Sequence, residues 1–464
     1  GVYFRQQGRS LAIGAYEHKP LEVRQDQLAS AAAAHASGVQ PSVHELTWED
    51  YEPTWKEIQR VYPSVRAAGL DEARSFNGIF SFTPDGGPLL GPSNTVAGVW
   101  IAQAVWVTAS AGVAQVTADW ITTGHPGIDT ADLDLARFDT RLLSPEFGRQ
   151  KGLEAYDEVY DIRHPRAASA KLRGIRTSPF HFHQQLAGAH FVEANGWERP
   201  LWLEENRRVL EEAELTFPKI PAWDTSEFSP IAVGEAWATR NRVAMYDMTS
   251  LTRYWVAGPD ASALLERLTT NKVSKKPGSV TFTLMLDAAG GILSDVTVTR
   301  VSDDEFLIGA NSHRDLIHLN NHVRDGEQVS ITDISPGTCC IGLWGPHARD
   351  VLSQLTDDDI SHEGFGYFKA KQLYIAAVPA LALRVSYVGE LGWELYTTAD
   401  HGARLWEELH TAGNQYGIVI GGRLAFNALR LEKGFRSYGA DMTREHRPHQ
   451  AGLGFAVSKV KTDY

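Results

Sequence analysis

Residues 281–300 read TFTLMLDAAGGILSDVTVTR. Apolar and polar residues alternate on both sides of Ala288-Ala289-Gly290-Gly291, the pattern of two antiparallel strands joined by a tight turn. Centring the turn there pairs Phe282 with Thr297 and Leu284 with Asp295. Residues two apart share a face, so Phe282, Asp295 and Thr297 project together, while Val296 and Val298 fill the opposite, buried face. A carboxylate beside an aromatic ring on an otherwise apolar sheet is costly unless it binds something. The other reading of the same pattern is an acid near a turn that stays in water.

GELGWELY (389–396) repeats the theme. As a strand it sets Glu390, Gly392, Glu394 and Tyr396 on one face and Leu391, Trp393 and Leu395 on the other. Two acids on one face either grip a ligand's amino groups or line a solvated edge strand. Helical spacing appears in GPDASALLERLTT (258–270), through Ala261, Leu264, Leu265 and Leu268, and in HGARLWEELHTAG (401–413), through Leu405, Leu409 and Ala412. Strands and helices interleave, which predicts an α+β or α/β multidomain chain. In ALRLEKGFR (428–436), Arg430 and Lys433 around Glu432 have the spacing of a solvated helix face. His181 and His183, read as His-x-His on a strand, and His190 lack a nearby carboxylate or cysteine, so no metal site is expected.

The first residues, VYFRQQGRSLAIGAY, form two alternating runs around Gln7-Gly8-Arg9 and predict a hairpin inside a sheet. A sheet starting at residue 1 implies strands upstream, and GLGFAVSKVKTDY at the other end stops as a strand pattern begins. The chain is therefore expected to be an internal piece of a longer protein. Residues 98–124 read as a strand running into a helix that ends at Gly124, with Pro126 beyond. Residues 126–177 are charged and weakly periodic, a connecting segment. The expected divisions are thus 1–125, 126–177 and 178–464.

Acidic residues outnumber basic ones, 57 to 44, for a net charge of −13, and no basic run exists, so nucleic acid is not an expected partner. No apolar run approaches the ~18 residues of a membrane span, and the mean hydropathy is −0.26. The two cysteines, Cys339 and Cys340, are adjacent, which suits strand packing in a reducing compartment better than a disulfide or zinc site. The sequence contains no GxSxG, HExxH, Walker loop or GxGxxG pattern.

Taken together, SPFHFHQQLAGAHFVEANGWERPLWL (178–203), MYDMTSLTRYWVAGPDA (245–261), GGILSDVTVTR, GELGWELY and ALRLEKGFRSYGADMT (428–443) resemble, in the same order, the folate-binding aminomethyltransferase, the T-protein of the glycine cleavage system. FNGIFSFTPDGGPLLGP (76–92) and AVWVTASAGVA (104–114) are similar to the tail of the flavin domain of amine oxidases of the sarcosine and dimethylglycine class. The combination resembles the dimethylglycine oxidase/dehydrogenase and sarcosine dehydrogenase family, and most its bacterial dimethylglycine oxidase members. The resemblance implies the C-terminal part of an amine-oxidase-type FAD domain followed by an aminomethyltransferase-like folate-binding domain. It implies FAD and tetrahydrofolate as cofactors, and oxidative N-demethylation of N,N-dimethylglycine to sarcosine with formation of 5,10-methylenetetrahydrofolate. An iminium hydrolyses to formaldehyde in water, which gives a reason to shelter both chemistries in one protein.

Carried over motif by motif, Tyr3 falls where the family has a tyrosine important for amine oxidation beside the flavin. Val105, Trp106, Val107 and Thr108 match the flavin-contacting stretch, opening a helix whose N–H groups can face the negative charge of reduced flavin. Small residues from Ala109 to Ala114 are expected to pack closely in a core. Asp295 matches the essential carboxylate that takes a hydrogen bond or proton from the attacking folate nitrogen. Phe282, Thr297, Gly309, Glu394, Leu395 and Tyr396 fall at folate-contact positions, with Phe282 standing where the family has tyrosine. The resemblance places the FAD fingerprint and attachment histidine before residue 1, so that this piece would not hold FAD alone, and a terminal barrel after Tyr464. It implies a bacterial cytoplasmic or mitochondrial matrix protein. Dimethylglycine or sarcosine as substrate, and dioxygen or an electron-transfer flavoprotein as acceptor, stay open. So do a redox-free aminomethyltransferase and a regulatory subunit of the same architecture, such as that of mitochondrial pyruvate dehydrogenase phosphatase.

Overall fold

The computed structural model describes residues 1–16, 19–38 and 40–461. It divides into two compact units, one of residues 1–90, 101–113 and 143–163, the other of residues 91–100, 114–142 and 164–464. In the first, the expected N-terminal hairpin forms, Val2–Gln7 pairing antiparallel with Ser10–Ala15, Gln7 opposite Ser10 and Tyr3 opposite Gly14, but among the described residues it is a two-stranded sheet and not part of a larger one. Its small core gathers Trp55, Ile58 and Val65.

The second unit is built on two sheets. The five-stranded antiparallel sheet runs in the order Ser279–Leu286, Ile292–Arg300, Glu305–Ala310, Thr252–Ala257 and Ser330–Asp333. One face buries Val296, Val298, Phe306 and Ile308 against Ala261 and Leu265 of the helix Ala261–Leu268 and Leu319 of the helix His313–Asn321. The other face carries Leu284 and Ile292, which pack on Met442, Leu453 and Ala456 of the C-terminal segment.

The six-stranded sheet has the order Ala370–Ile375, Val378–Leu383, Gly392–Thr398, Thr338–Trp344, Ala244–Asp247 and Val419–Gly421. Ile341, Trp393 and Leu395 bury on one side against Leu405, Trp406 and Leu409 of the helix Gly402–Gly413. On the other side Tyr246, Cys340 and Trp344 pack on Phe426 and Leu429 of the helix Arg423–Glu432. Cys339 and Cys340 are thus free, buried packing residues. Burial pushes the Cys339 thiol up to about 12, which leaves it unreactive at neutral pH.

The chain crosses between the sheets twice, and Arg253 holds both crossings. Its guanidinium, 1% exposed with its side chain, donates from Nη1 to the carbonyls of Thr249 (3.0 Å) and Leu251 (2.6 Å) on the outward crossing. On the return it donates to Thr338 Oγ1 (3.0 Å) and to the carbonyls of Ser335 and Thr338 (both 3.1 Å). Five bonds to neutral acceptors spread the cation's charge over crossover backbone that would otherwise be buried unpaired.

Two local expectations are corrected. His181–Leu186 is a short helix, from which His183 stacks on Trp406, and His190, on the following strand Ala189–Ala194, stacks on Trp202 at 4.2 Å. Arg430 is not a solvated helix residue but 5% exposed, bonded to Asn427, Asp441 and the Phe435 carbonyl. Among the described residues no helix is long and apolar enough to cross a membrane, and no cluster of metal-ligating side chains occurs.

Replacing Arg253 with methionine leaves those crossover carbonyls buried without donors, and we expect it to cost about 3–5 kcal/mol in urea-induced unfolding. Arg253→Lys should recover less than half of that, because one ammonium has three donors and cannot span both crossings.

Candidate functional site

The hairpin register follows the sequence reading: Phe282 lies opposite Thr297, and Leu284 opposite Asp295. The turn closes because Asp287 Oδ1 accepts the backbone N–H groups of Ala289 and Gly291, while Gly290 takes a φ of +83° that favours glycine. Thr297 then pairs with Gly309, and Gly309 with Arg253. Opposite residues share a face, so Phe282, Thr297, Gly309 and Arg253 form one row across four strands, with Asp295 one step along. Gly309 contributes no side chain, which leaves that row open beside Thr297.

Asp295 is half-buried. Desolvation pushes its carboxyl up to about 6, against the opposing pull of a hydrogen bond from Asn311 Nδ2 (2.9 Å). Asn311 also donates to the Asp295 carbonyl (2.8 Å) and to Ser294 Oγ (2.9 Å), so the acid is held at one place on the strand. Its backbone N–H is fixed by Asp315 (2.8 Å), the buried acid in the first turn of the next helix. Phe282 stacks on Phe455 with ring centroids 5.9 Å apart. Tyr387 lies close enough for the charge on Asp295 to raise its hydroxyl, which burial pushes up to about 12. Asn311 and Tyr387 are site residues that sequence reasoning missed. The first lies just past a strand end and the second in a loop, with no periodicity to mark either.

On the second sheet, the Tyr396 hydroxyl donates to the Glu394 carboxylate at 2.5 Å. Burial raises Glu394, and the nearby Arg253 charge lowers it. Among the described residues Tyr396 is the hydrogen-bond partner of that acid, which leaves acceptor capacity for a donor-rich ligand. Leu395 points to the opposite face, fully buried in the core, so its backbone alone can reach a ligand beside Glu394. Glu390 does not join Glu394 on the strand. It lies before Gly392 and pairs with Arg240 at 2.8 Å.

Within the first unit, Tyr3 is 54% exposed, its ring lying over Gly14, where any Cβ would collide with it. With Tyr16, Phe80, Phe82, Gln103 and Ala104 it lines a cleft of about 2860 Å³. Phe80 and Phe82 meet Trp106 edge-on at 5.6 and 5.3 Å, and the Trp106 indole N–H is buried without a partner. Val105 and Trp106 are partly buried, while Val107 and Thr108 are exposed at the start of a 3-10 turn that runs into the helix Ser110–Thr123. An unsatisfied indole donor suits an acceptor-rich ring. The expected close packing of Ala109 to Ala114 is not found: only Val113 of that stretch is buried.

A carboxylic acid held near neutrality, an aromatic surface and a second buried acid on adjoining sheets define a ligand-binding α/β module. Residues 180–461 match the GCVT N-terminal domain family, and the chain belongs to it. Residues 1–120 match the FAD dependent oxidoreductase family, and residues 123–178 the FAD dependent oxidoreductase central domain. The chain therefore joins part of an FAD oxidoreductase domain, its central domain and a folate-binding GCVT domain, which together imply FAD and tetrahydrofolate. It is 29% identical over 471 residues to the 4-methylaminobutanoate oxidase (formaldehyde-forming) of Paenarthrobacter nicotinovorans, covering 99% of this chain and 54% of that protein. It is 30% identical over 481 residues to the mitochondrial dimethylglycine dehydrogenase of Rattus norvegicus, covering 99% and 53%. The chain thus spans about half the length of the curated relatives it matches. The crystal structure of glycine cleavage system aminomethyltransferase T from Bartonella henselae superposes with a TM-score of 0.50 at 23% identity, over 62% of this chain and 70% of that one. That likeness shows the shared fold.

The raised Asp295 carboxyl has a signed consequence. An acid whose folded-state pKa lies above its unfolded value favours folding when protonated, and this advantage is lost as pH rises from about 4 through 6. Asp295→Asn keeps an acceptor for Asn311 and removes the buried charge. We expect the variant to be more stable than the parent by about 1–2 kcal/mol at pH 7.5 and equal to it at pH 4, as read by thermal unfolding at both pH values.

Proposed function

We propose that this chain serves flavin-dependent oxidative N-demethylation of an N-methyl amino acid, with the one-carbon unit passed to tetrahydrofolate. The finer reading is N,N-dimethylglycine to sarcosine with 5,10-methylenetetrahydrofolate as product. The observation that carries it is Asp295: a carboxyl raised to about 6, fixed by Asn311, on a face shared with Phe282 and Thr297. The similarity to N-methyl amine oxidases and dehydrogenases along 99% of the chain supports the redox half of the reading.

When bound, a flavin supplies two-electron oxidation of the N-methyl carbon to an iminium, and a reduced folate supplies a nucleophilic nitrogen for that carbon. The residues of this chain hold the reactants and accept a proton. Above pH 6 Asp295 is a carboxylate and takes the proton that the attacking nitrogen gives up, so the C–N bond forms without a free cationic amine at the site. Phe282 offers a flat apolar surface to a pterin ring, without the hydroxyl a tyrosine would add. Glu394, oriented by Tyr396, accepts from ring N–H groups. In the first unit Tyr3 would offer its hydroxyl to the substrate amine or carboxylate, and Trp106 would offer its indole N–H to the flavin.

With the full-length protein, N,N-dimethylglycine should bleach a flavin absorbance band, and tetrahydrofolate should convert released formaldehyde into methylenetetrahydrofolate. A colourless protein that binds folate would overturn the redox half. Asp295→Ala should leave amine oxidation within about twofold and release formaldehyde even with folate present. An unchanged folate product in that variant removes Asp295 from the mechanism. In the parent, the yield of folate product should fall below pH 6, as the base form is lost. Tyr3→Phe should slow flavin reduction by about tenfold or more in stopped-flow single turnover; equal rates count against its role.

A further inference from the structure

Two half-buried arginines in the second unit have side chains without a hydrogen-bond or ion-pair partner among the described residues. Arg199 lies on the strand Trp197–Leu203 and Arg423 opens the helix Arg423–Glu432. Among the described residues neither makes a hydrogen bond or an ion pair, and the Nε of Arg199 is fully covered without a partner. By contrast, Arg253 makes five hydrogen bonds and Arg430 is paired with Asp441.

The fold brings the two together. Gly422 lets the start of the helix rest on the backbone of Leu201 and Trp202, where a Cβ would strike the Leu201 carbonyl. Arg423 therefore begins beside the strand that carries Arg199. The acids whose charge reaches them, Asp247 for both and Glu193 for Arg199, make no ion pair with either among the described residues. Asp247 is occupied by Ser178 Oγ (2.5 Å), Gln184 Nε2 (2.9 Å) and the Thr249 N–H (2.9 Å), and Glu193 accepts the Gly196 N–H (2.6 Å). The Arg423 guanidinium lies 5.0 Å from the centre of the Phe426 ring, and Tyr387 stacks on that same ring at 5.4 Å. Tyr387 in turn feels the charge of Asp295. Arg423 is thus linked through Phe426 and Tyr387 to the candidate reaction face.

We propose that Arg199 and Arg423 form a carboxylate-binding subsite of this module, filled by a carboxylate of the amino acid being demethylated or of the folate glutamate. A guanidinium carries a planar fork of N–H donors that matches a carboxylate's oxygens, and a bound anion supplies a directly paired counter-charge that neither arginine has. Burial, together with Arg423's charge, pushes Arg199 down to about 9, and burial lowers Arg423, as expected of cations whose partner arrives from outside. The subsite itself stands on the arginine geometry; the two sources of the carboxylate rest on the proposed function.

The test uses glutarate as a probe that needs neither cofactor. Glutarate, at matched ionic strength against sodium chloride, should raise the melting temperature of the intact protein and leave that of the Arg199→Gln/Arg423→Gln double variant unmoved, while Arg199→Lys/Arg423→Lys keeps part of the shift. If Arg199→Gln does not fold, Arg423→Gln alone carries the test, since its side chain rests on an aromatic ring and makes no hydrogen bond. For the glutamate source, the double variant should bind tetrahydrofolate about 10- to 100-fold more weakly and tetrahydropteroate, which lacks the glutamate, unchanged. For the amino-acid source, both pterins bind as before and the formaldehyde that escapes capture rises at saturating folate. A glutarate shift in a protein that binds no folate keeps the subsite and overturns the folate reading. An equal glutarate shift in parent and double variant, or none in either, overturns the subsite.

Discussion

A polypeptide that crosses from one sheet to another and back must bury two stretches of irregular backbone, and unpaired carbonyls there are expensive. Arg253 answers both crossings with one planar cation. It sits in the same cross-strand row as Phe282, Thr297 and Gly309, so the group that fixes the two sheets also closes one end of the candidate face. Its charge reaches Glu394 and Tyr396 on the other sheet. Arg253 thus links the sheets that carry the two candidate acids, Asp295 and Glu394, while Asn311 and Tyr396 hold the acids themselves.

The electrostatics follow from that framework. Asp295 and Glu394 are both raised by burial, and each keeps a single side-chain donor, Asn311 or Tyr396, that orients it without neutralising it. A carboxyl tied to arginine would be locked as an anion of low basicity. One pushed up to about 6 takes a proton readily near neutral pH. Arg240, by contrast, binds Glu390 and Glu432 directly.

Where local pattern decides structure, the sequence was readable. The hairpin at 281–300 has a turn whose glycines and aspartate fix the register, and strict alternation then fixes the face of every side chain, so Phe282, Asp295 and Thr297 could be grouped without coordinates. The helices around Leu264 and Leu405 follow from spacing in the same way. What escaped detection depends on contacts across the chain. LTRYWV marks a strand but carries no sign that its arginine ties two crossovers. RLEKGF has the pattern of a wet helix face, yet Asp441, eleven residues on, draws Arg430 inside. His-x-His looks alike on a strand or a short helix, and rings from distant segments decide it. The alanine-rich start of Ser110–Thr123 shows that small residues permit close packing without ensuring it.

Asp287, in the hairpin turn, accepts from Arg444 Nε and lies 2.9 Å from His125 Nε2. His125 precedes residue 178, where the motifs of the folate module begin, and Asp139 and Arg141 likewise engage Arg176 and Asp333. Sequence order and structural autonomy thus diverge. Anyone wishing to graft this module onto another oxidase, or to express it alone, should set the cut upstream of residue 114 and keep the stretch through 142. A splice at the motif boundary would strip the turn of the hairpin that carries Asp295 of its histidine neighbour.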